Sequence, residues 1–336
     1  MPLTARTVML AKVESSYGSD PTHAATDAAL VHDLSYSFPT STYARATLSP
    51  SLTPHRAAQL GKRSIELSFF QYMRGNAAEF NNSPVVVPEY DVFLRACGLS
   101  ATWVGGSTAW RYAPVSTGFE SVAIECEVDG VLITALGCRG NARFVFTPGE
   151  PARIEYTFNG LFTAPGDRVT SAPNYTADIA PPIVASTGFQ PWSENPNAGV
   201  FGHVGSLVVD MRNQIVSRES LTSGAEGIAA WEIVGRGTAD DPGMAATLIV
   251  EGKPHANSDD WYTRWSNRTL SGTATATVGS GVAHNEHGFA IENMAINGID
   301  VTDLEGRVGY TLDCRIIGGS TGGVPDGNDD FLLTAT

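Results

Sequence analysis

The stretch Glu120–Gly140, "ESVAIECEVDGVLITALGCRG", decides how the chain is read. Asp129-Gly130 sits between two alternating runs. A two-residue turn of type I′ needs φ > 0 at both central positions, and Asp and Gly tolerate that. With the turn there, Val128 faces Val131, Cys126 faces Ile133 and Ile124 faces Ala135. That face is apolar, so Val122, Ile124, Val128, Val131 and Ile133 are core candidates. The other face pairs Glu127 with Leu132, Glu125 with Thr134 and Ala123 with Leu136, and it is mixed. Cys138 falls opposite Ser121 in this register, away from Cys126. The segment is a well-specified antiparallel hairpin whose acids have no obvious catalytic partner.

Outward from the hairpin, short alternating runs bounded by Gly, Pro and Asn predict a mainly β protein. Strands are expected at 29–38, 61–72, 107–116, 121–128, 131–138, 141–147 and 152–160, with a long polar loop over 39–60. "PEYDVFLRACG" (88–98) is the exception. Tyr90, Phe93, Leu94 and Cys97 recur at helical spacing, Pro88 suits a first helical turn and Gly98 a C-terminal cap, so Phe93 and Leu94 join the core candidates. The second half follows the same order. Strands are expected at 205–216 and 227–238, then a helix over 257–268 that Asn257 can cap, with Trp261 and Trp265 on its inner face. Further strands follow at 270–278, around a second turn signal at Asn297-Gly298, and at 307–317. The repeated order predicts two tandem domains, 1–164 and 201–318. Between them lies a proline-rich linker, 165–200, and beyond them a Gly/Asp-rich tail, 319–336.

The 336 residues are 42% hydrophobic, which suits folded domains. Lys and Arg total 21 against 35 Asp and Glu, a net charge of −14. Residues 1–170 hold 13 basic and 15 acidic side chains; residues 171–336 hold 8 and 20. Such a surface does not grip nucleic acid, because phosphate binding needs Lys and Arg to displace counterions. Cys97, Cys126, Cys138 and Cys314 form no C-x-x-C and read as buried thiols. The opening "MPLTARTVMLAKVESS" has no signal-peptide core and no apolar run reaches a membrane span, so the chain reads as soluble and cytoplasmic at synthesis.

Catalytic and metal motifs are weak. "GGSTGG" (318–323) contains G-x-S-x-G, yet no histidine and no helix follow it, and it reads as a Gly-rich loop. "HNEH" (284–287) lacks further ligands nearby and reads as an exposed polar turn. "DGNDD" (326–330) lacks the calcium-loop pattern. No cofactor, metal or catalytic constellation is expected.

Particular stretches resemble the major tail tube proteins of long-tailed bacteriophages. They are "AKVESSYGSDPTHAATDAALVHDLS" (11–35), "GKRSIELSFFQ", "YDVFLRACGLSATW", "YAPVSTGFESVAIECEVDGVLITALGCRGNARFVF" and "IEYTFNGLFTAP", which together cover most of 11–165. In the second half "GSLVVDMRNQIVSRES" is the best piece, whereas "NSDDWYTRWSNR" departs from the family's wording. The resemblance implies a structural virion protein of the tail, made in the host cytoplasm. Each domain would be a two-sheet antiparallel β-sandwich with one flanking helix, and the sheets of neighbouring subunits would join into a tube. It implies as partners further copies of the chain, a tape measure protein, a tail terminator and baseplate or distal tail proteins. Double-stranded DNA would pass through the lumen without specific binding.

Geometry sets the ring size. A duplex is about 20 Å across. Roughly 24 strands at ~4.8 Å spacing, tilted up to ~45°, give a backbone diameter of roughly 37–52 Å, which admits it after ~10 Å of side chains. If each domain donates about four strands, three chains close a pseudo-sixfold ring; if the second half is not a tube domain, the ring is a hexamer. In such a tube Glu125 and Glu127 are candidates to face the lumen, where weak repulsion lets DNA slide. The loop 39–60, with Thr42, Arg45, Thr53 and Arg56, is the candidate contact to the next ring. A tail component that does not polymerise and a β-sandwich carbohydrate-binding module remain as rivals.

Overall fold

The computed structural model describes residues 7–45, 57–83, 85–168, 172–175, 177–184, 204–222, 227–251, 261–267, 274–279, 284–304, 306–318, 320–321, 324–325 and 328–336. The chain opens with β1 (Thr7–Val13), a 3-10 turn at Ala25–Asp27 and β2 (Ala28–Ala29). β3 (His32–Ser37) and β4 (Thr40–Tyr43) precede the long β5 (Gln59–Tyr72). A small ribbon, β6 (Asn81–Asn82) and β7 (Val85–Val86), leads to helix α1 (Asp91–Ala96). Then come β8 (Leu99–Val104), β9 (Ala109–Pro114), β10 (Val122–Val128), β11 (Val131–Phe146), β12 (Arg153–Phe162) and β13 (Gly166–Asp167). The second half holds β14 (Val204–Asp210), β15 (Asn213–Glu219), β16 (Ile228–Arg236), β17 (Ala245–Glu251) and helix α2 (Trp261–Ser266). It continues with β18 (Ala274–Val278), β19 (His287–Ile291), β20 (Asn293–Leu304), β21 (Arg307–Ile317), the ribbon β22 (Ser320–Thr321) and β23 (Val324–Pro325), and β24 (Phe331–Ala335).

The hairpin forms as its sequence dictates. Asp129 and Gly130 both take positive φ, 41° and 98°. Pairing runs from Val128 with Val131 to Ile124 with Ala135 in the expected register. It then slips by one residue, and Cys138 pairs with Val122 in place of Ser121. Gly137 lies in the slip at φ 60°, and a Cβ there would stand 2.6 Å from the Tyr17 ring, so the position requires glycine. Glu14 seals the bulge. Its carboxylate accepts from the Gly137 N–H (2.6 Å), the Ser121 hydroxyl (2.6 Å) and the Gly18 N–H (2.8 Å).

β11 joins the halves. The two strands expected at 131–138 and 141–147 are one, and Gly140 keeps it continuous by letting the Phe158 ring approach to 2.4 Å from where a Cβ would be. Its first half pairs with β10, its last four residues pair with β14 on the same side, and β12 runs along its other edge. A 13-stranded sheet results, running from β3 and β4 through β5 and β12 to β11, then on to β10-β1-β2 and to β14-β17-β21-β20. The second sheet, β18-β19-β24-β9-β8, is built from both halves. Its inner face meets β11: Phe144 and Phe146 pack on Phe289 and Phe331 at ring-centroid distances of 5.1–6.1 Å. α1 fills the remaining space, with Phe93 against Phe69, Tyr156 and Phe158 at 5.0–5.9 Å. Each such ring contributes roughly 1.5–3 kcal/mol by leaving water. Val122, Ile124, Ile133, Phe93, Leu94 and Trp261 are buried, and Val128 and Val131 pack half-buried on the same core.

The fold departs from the sequence reading in several places. The tail 319–336 ends in β24, which inserts between β19 and β9 with Phe331, Leu333 and Ala335 buried. Five alternating residues are too few to stand out in the sequence. The domain boundaries at 164 and 201 coincide with no break in the sheets, since β13 pairs with β11 and β14 with β11. The described part of 165–200 meets the first half, where Asp178 pairs with Arg74 (2.5 Å) and Ile183 bridges Pro151, and the second half at Ala180, whose carbonyl accepts from Asn285. The run 205–216 is two strands, interrupted at Arg212 (φ 53°): the first lies in the main sheet and the second pairs with β16. Trp265 is exposed on α2, with its indole N–H donating to the Asn297 carbonyl (3.1 Å), because only Trp261 of the pair faces inward. The capping residue Asn257 lies outside the described residues.

Candidate assembly interface and buried charge clusters

Glu125 and Glu127 do not lie on an open face. They are 4% and 1% exposed. Both faces of the hairpin are covered: the apolar one by the core, the mixed one by the loop after β1 and by Arg168. The Arg168 backbone N–H donates to the Gly130 carbonyl (3.0 Å). Its guanidinium then bridges Glu125 Oε2 (Nη1, 2.5 Å) and Glu127 Oε1 (Nε, 3.2 Å). Buried carboxylates need such partners, because an unpaired charge in a poorly hydrated setting is costly. Covered in this way within the subunit, the two acids present no free face to a lumen. Nothing local announced it: Arg168 is 43 residues from Glu125. His23 and Glu14, which complete the cover, were equally silent in the sequence.

A second cluster surrounds α1. Buried Asp91 accepts from the Tyr112 hydroxyl (2.9 Å), and Arg95 forks onto Glu120 at 2.5 and 2.6 Å. Burial raises the Asp91 carboxyl, with Arg95 opposing. Tyr90 Oη meets His287 Nδ1 at 2.9 Å, and burial pushes the imidazole down to about 3, so it stays neutral at ordinary pH. "HNEH" is thus no exposed turn. Asn285, also buried, accepts from the Gly75 N–H (2.8 Å) and donates to the Ala180 carbonyl (2.9 Å). These groups tie the first half to the second. A groove of about 740 Å³ borders the cluster, lined by Arg95, Glu120, Trp103 and Trp110. Trp110 is only 7% exposed and its N–H is bonded to the Val86 carbonyl (2.8 Å), so the two indoles form no flat stacking platform.

Exposed apolar side chains lie on the β15–β16 ribbon (Val216, Val234) and at two ends of the main sheet. The loop 39–60 is in part an arm: Thr42 pairs with Leu60 and Tyr43 with Gln59, extending β4 and β5 outward. Tyr43 and Leu60 are 61% and 63% exposed, and Thr42 and Arg45 are exposed beside them. Thr53 and Arg56 lie outside the described residues. At the other end β20 is the last strand. It and β21 expose Val301 (68%) and Val308 (59%). A strand at a sheet end offers backbone donors and acceptors to another chain, and natural monomers usually blunt it. No helix among the described residues is long and apolar enough to cross a membrane. Compared with known proteins, the chain matches no protein-family model and no curated protein.

Proposed function

We propose that the chain is a structural subunit that assembles with copies of itself, as the resemblance to major tail tube proteins implies. The observation that carries this reading is the main sheet, which has exposed apolar side chains at two of its three ends: Tyr43 and Leu60 on the β4–β5 arm, Val301 and Val308 beside β20. Edge-to-edge pairing of sheets between copies would bury these ends and close a barrel around a channel. The two halves share both sheets, so one chain acts as one building block. Three copies in a pseudo-sixfold ring is the expected assembly, a hexamer the alternative. Rings would stack through the 39–60 arm into the tail tube of a long-tailed phage, meeting the tape measure, terminator and baseplate proteins at its ends, with DNA passing through. The charged clusters support a structural role, because Asp91, Glu120, Glu125 and Glu127 are each held by an arginine.

Negative-stain electron microscopy of concentrated protein tests the reading. End-on rings or tubes with a central hole are expected. Deleting 42–57 should leave soluble protein that forms no tubes, and tubes from that variant would refute the role of the arm. Compact monomers from the intact chain under all conditions, including with tube-initiating tail components, would favour a tail component that does not polymerise.

A further inference from the structure

We propose that Asp20, His23 and Glu125 form a binding site for a first-row divalent cation of the zinc type. The three residues come from two elements, the loop after β1 and the middle of β10. His23 has a fully buried side chain. Its Nε2 lies 3.1 Å from the Ala123 carbonyl, which can only accept, so Nε2 carries the proton and Nδ1 presents its lone pair. That lone pair is aimed at two carboxylates: Glu125 Oε1 at 3.5 Å and Asp20 Oδ1 at 3.8 Å. Nδ1 has no hydrogen-bond partner. Three electron-rich atoms converging on one point repel one another unless a cation sits among them.

The ring makes no direct hydrogen bond to either carboxylate. An imidazolium N–H to a carboxylate closes to roughly 2.7–2.9 Å, well inside both distances. A metal fits better. Around a tetrahedral zinc with bonds of ~2.0–2.1 Å, ligand atoms stand ~3.3–3.4 Å apart. The three ligand atoms all lie within 4.8 Å of one another, and the nitrogen–Glu125 separation is already close to that figure. Asp20 is half exposed on its loop and can move inward.

The surrounding charges agree. Arg168 engages Glu125 through Oε2, which leaves Oε1 for the ion. Asp20, Glu125 and Glu127 bring three negative charges, against one on Arg168. Lys12 is paired with Asp27 (3.3 Å) and is no competitor for the site. One nitrogen and two carboxylate oxygens form a donor set that zinc accepts, with water completing the shell. The ion would staple the loop after β1 across the mixed face of the hairpin.

The test uses the full chain stripped with a chelator and then titrated with zinc chloride, followed by calorimetry and thermal unfolding. Expected are saturable binding with micromolar or tighter affinity and a higher Tm that chelator reverses. His23→Gln should weaken binding by more than about 100-fold, since loss of a mere supporting group costs 10–100-fold. Asp20→Asn is the second variant. It keeps the acceptor for the Thr22 N–H (2.9 Å), so the loop stays folded, and it too should weaken binding. Absence of binding at millimolar zinc would overturn the proposal. Binding unchanged in both variants would also overturn it, because the ion would then be on exposed surface acids.

Discussion

Two dipeptides that favour tight hairpin turns, Asp129-Gly130 and Asn297-Gly298, take opposite parts in this fold. The first makes its turn, with both residues at positive φ. The second stays extended in the middle of β20, where Asn297 is the extra residue of a bulge. Ile296 faces Cys314 and Gly298 faces Asp313, so the register shifts by one residue at Asn297. The chain reverses further on, between Leu304 and Arg307, with Gly306 at φ 84°. The flanks explain the difference. Around Asp129 the apolar positions of the two runs face each other across the turn, so the local pairing is also the one that buries them. A reversal at Asn297 would cost β21 its pairing with β20, and Met294 and Ile296 would lose their places beside Ile316 and Cys314, all of them buried. A local preference worth at most about 1 kcal/mol yields to several buried side chains at roughly 1.5–3 kcal/mol each. The two bulges differ as well. The one in β11 is locked by a buried carboxylate, whereas the one in β20 is held from outside by an exposed indole.

Glu14→Ala should have the largest effect. It leaves the Gly137 and Gly18 N–H groups and the Ser121 hydroxyl without their acceptor, at about 1–3 kcal/mol for each buried donor, so a loss on the order of 3–5 kcal/mol is expected in urea unfolding. A loss below about 1 kcal/mol would show that the bulge does not depend on Glu14.

The two turn glycines should respond with opposite signs. Gly130→Ala forces a side chain into the left-handed region (φ 98°) and should cost about 1–2 kcal/mol. Gly298→Ala meets only ordinary contacts, Asp313 side-chain atoms at 3.6 Å, and should be neutral or stabilising by up to about 1 kcal/mol. Equal losses at both sites, measured by the same urea titration, would mean that Asn297-Gly298 is a turn after all.

Trp265→Phe should be the smallest perturbation. It removes one exposed hydrogen bond to the bulge carbonyl, and about 0.5–1 kcal/mol is expected by thermal unfolding. A loss comparable with that of Glu14→Ala would make the outer indole as important as the buried carboxylate.

Much of the first half was legible because its signals are short-range. Alternation placed β5, β10 and β12, and the 3.6-residue stripe placed α1 with Phe93 and Leu94 inward. Gly98 takes the left-handed conformation that ends the helix, as its position predicts (φ 80°). The candidate site was less legible. The alternation around Glu125 and Glu127 shows correctly that they share a face, but a two-residue period says nothing about what lies over that face. Arg168 and His23 reach it from distant parts of the chain, and no local pattern encodes their arrival.

Local patterns in the chain carry the mainly β class of the fold, the hairpin and its turn, the first helix and most of the inward-facing residues. These follow from periodicity and turn chemistry, which act between neighbours in the chain. The tertiary structure alone decided that the halves share two sheets, that the C-terminal strand lies between β19 and β9, that Asn297-Gly298 stays extended and that the acids of the hairpin are buried. Each of those outcomes depends on which distant strand or side chain covers a given edge or face, and burial of that surface outweighs the local preference.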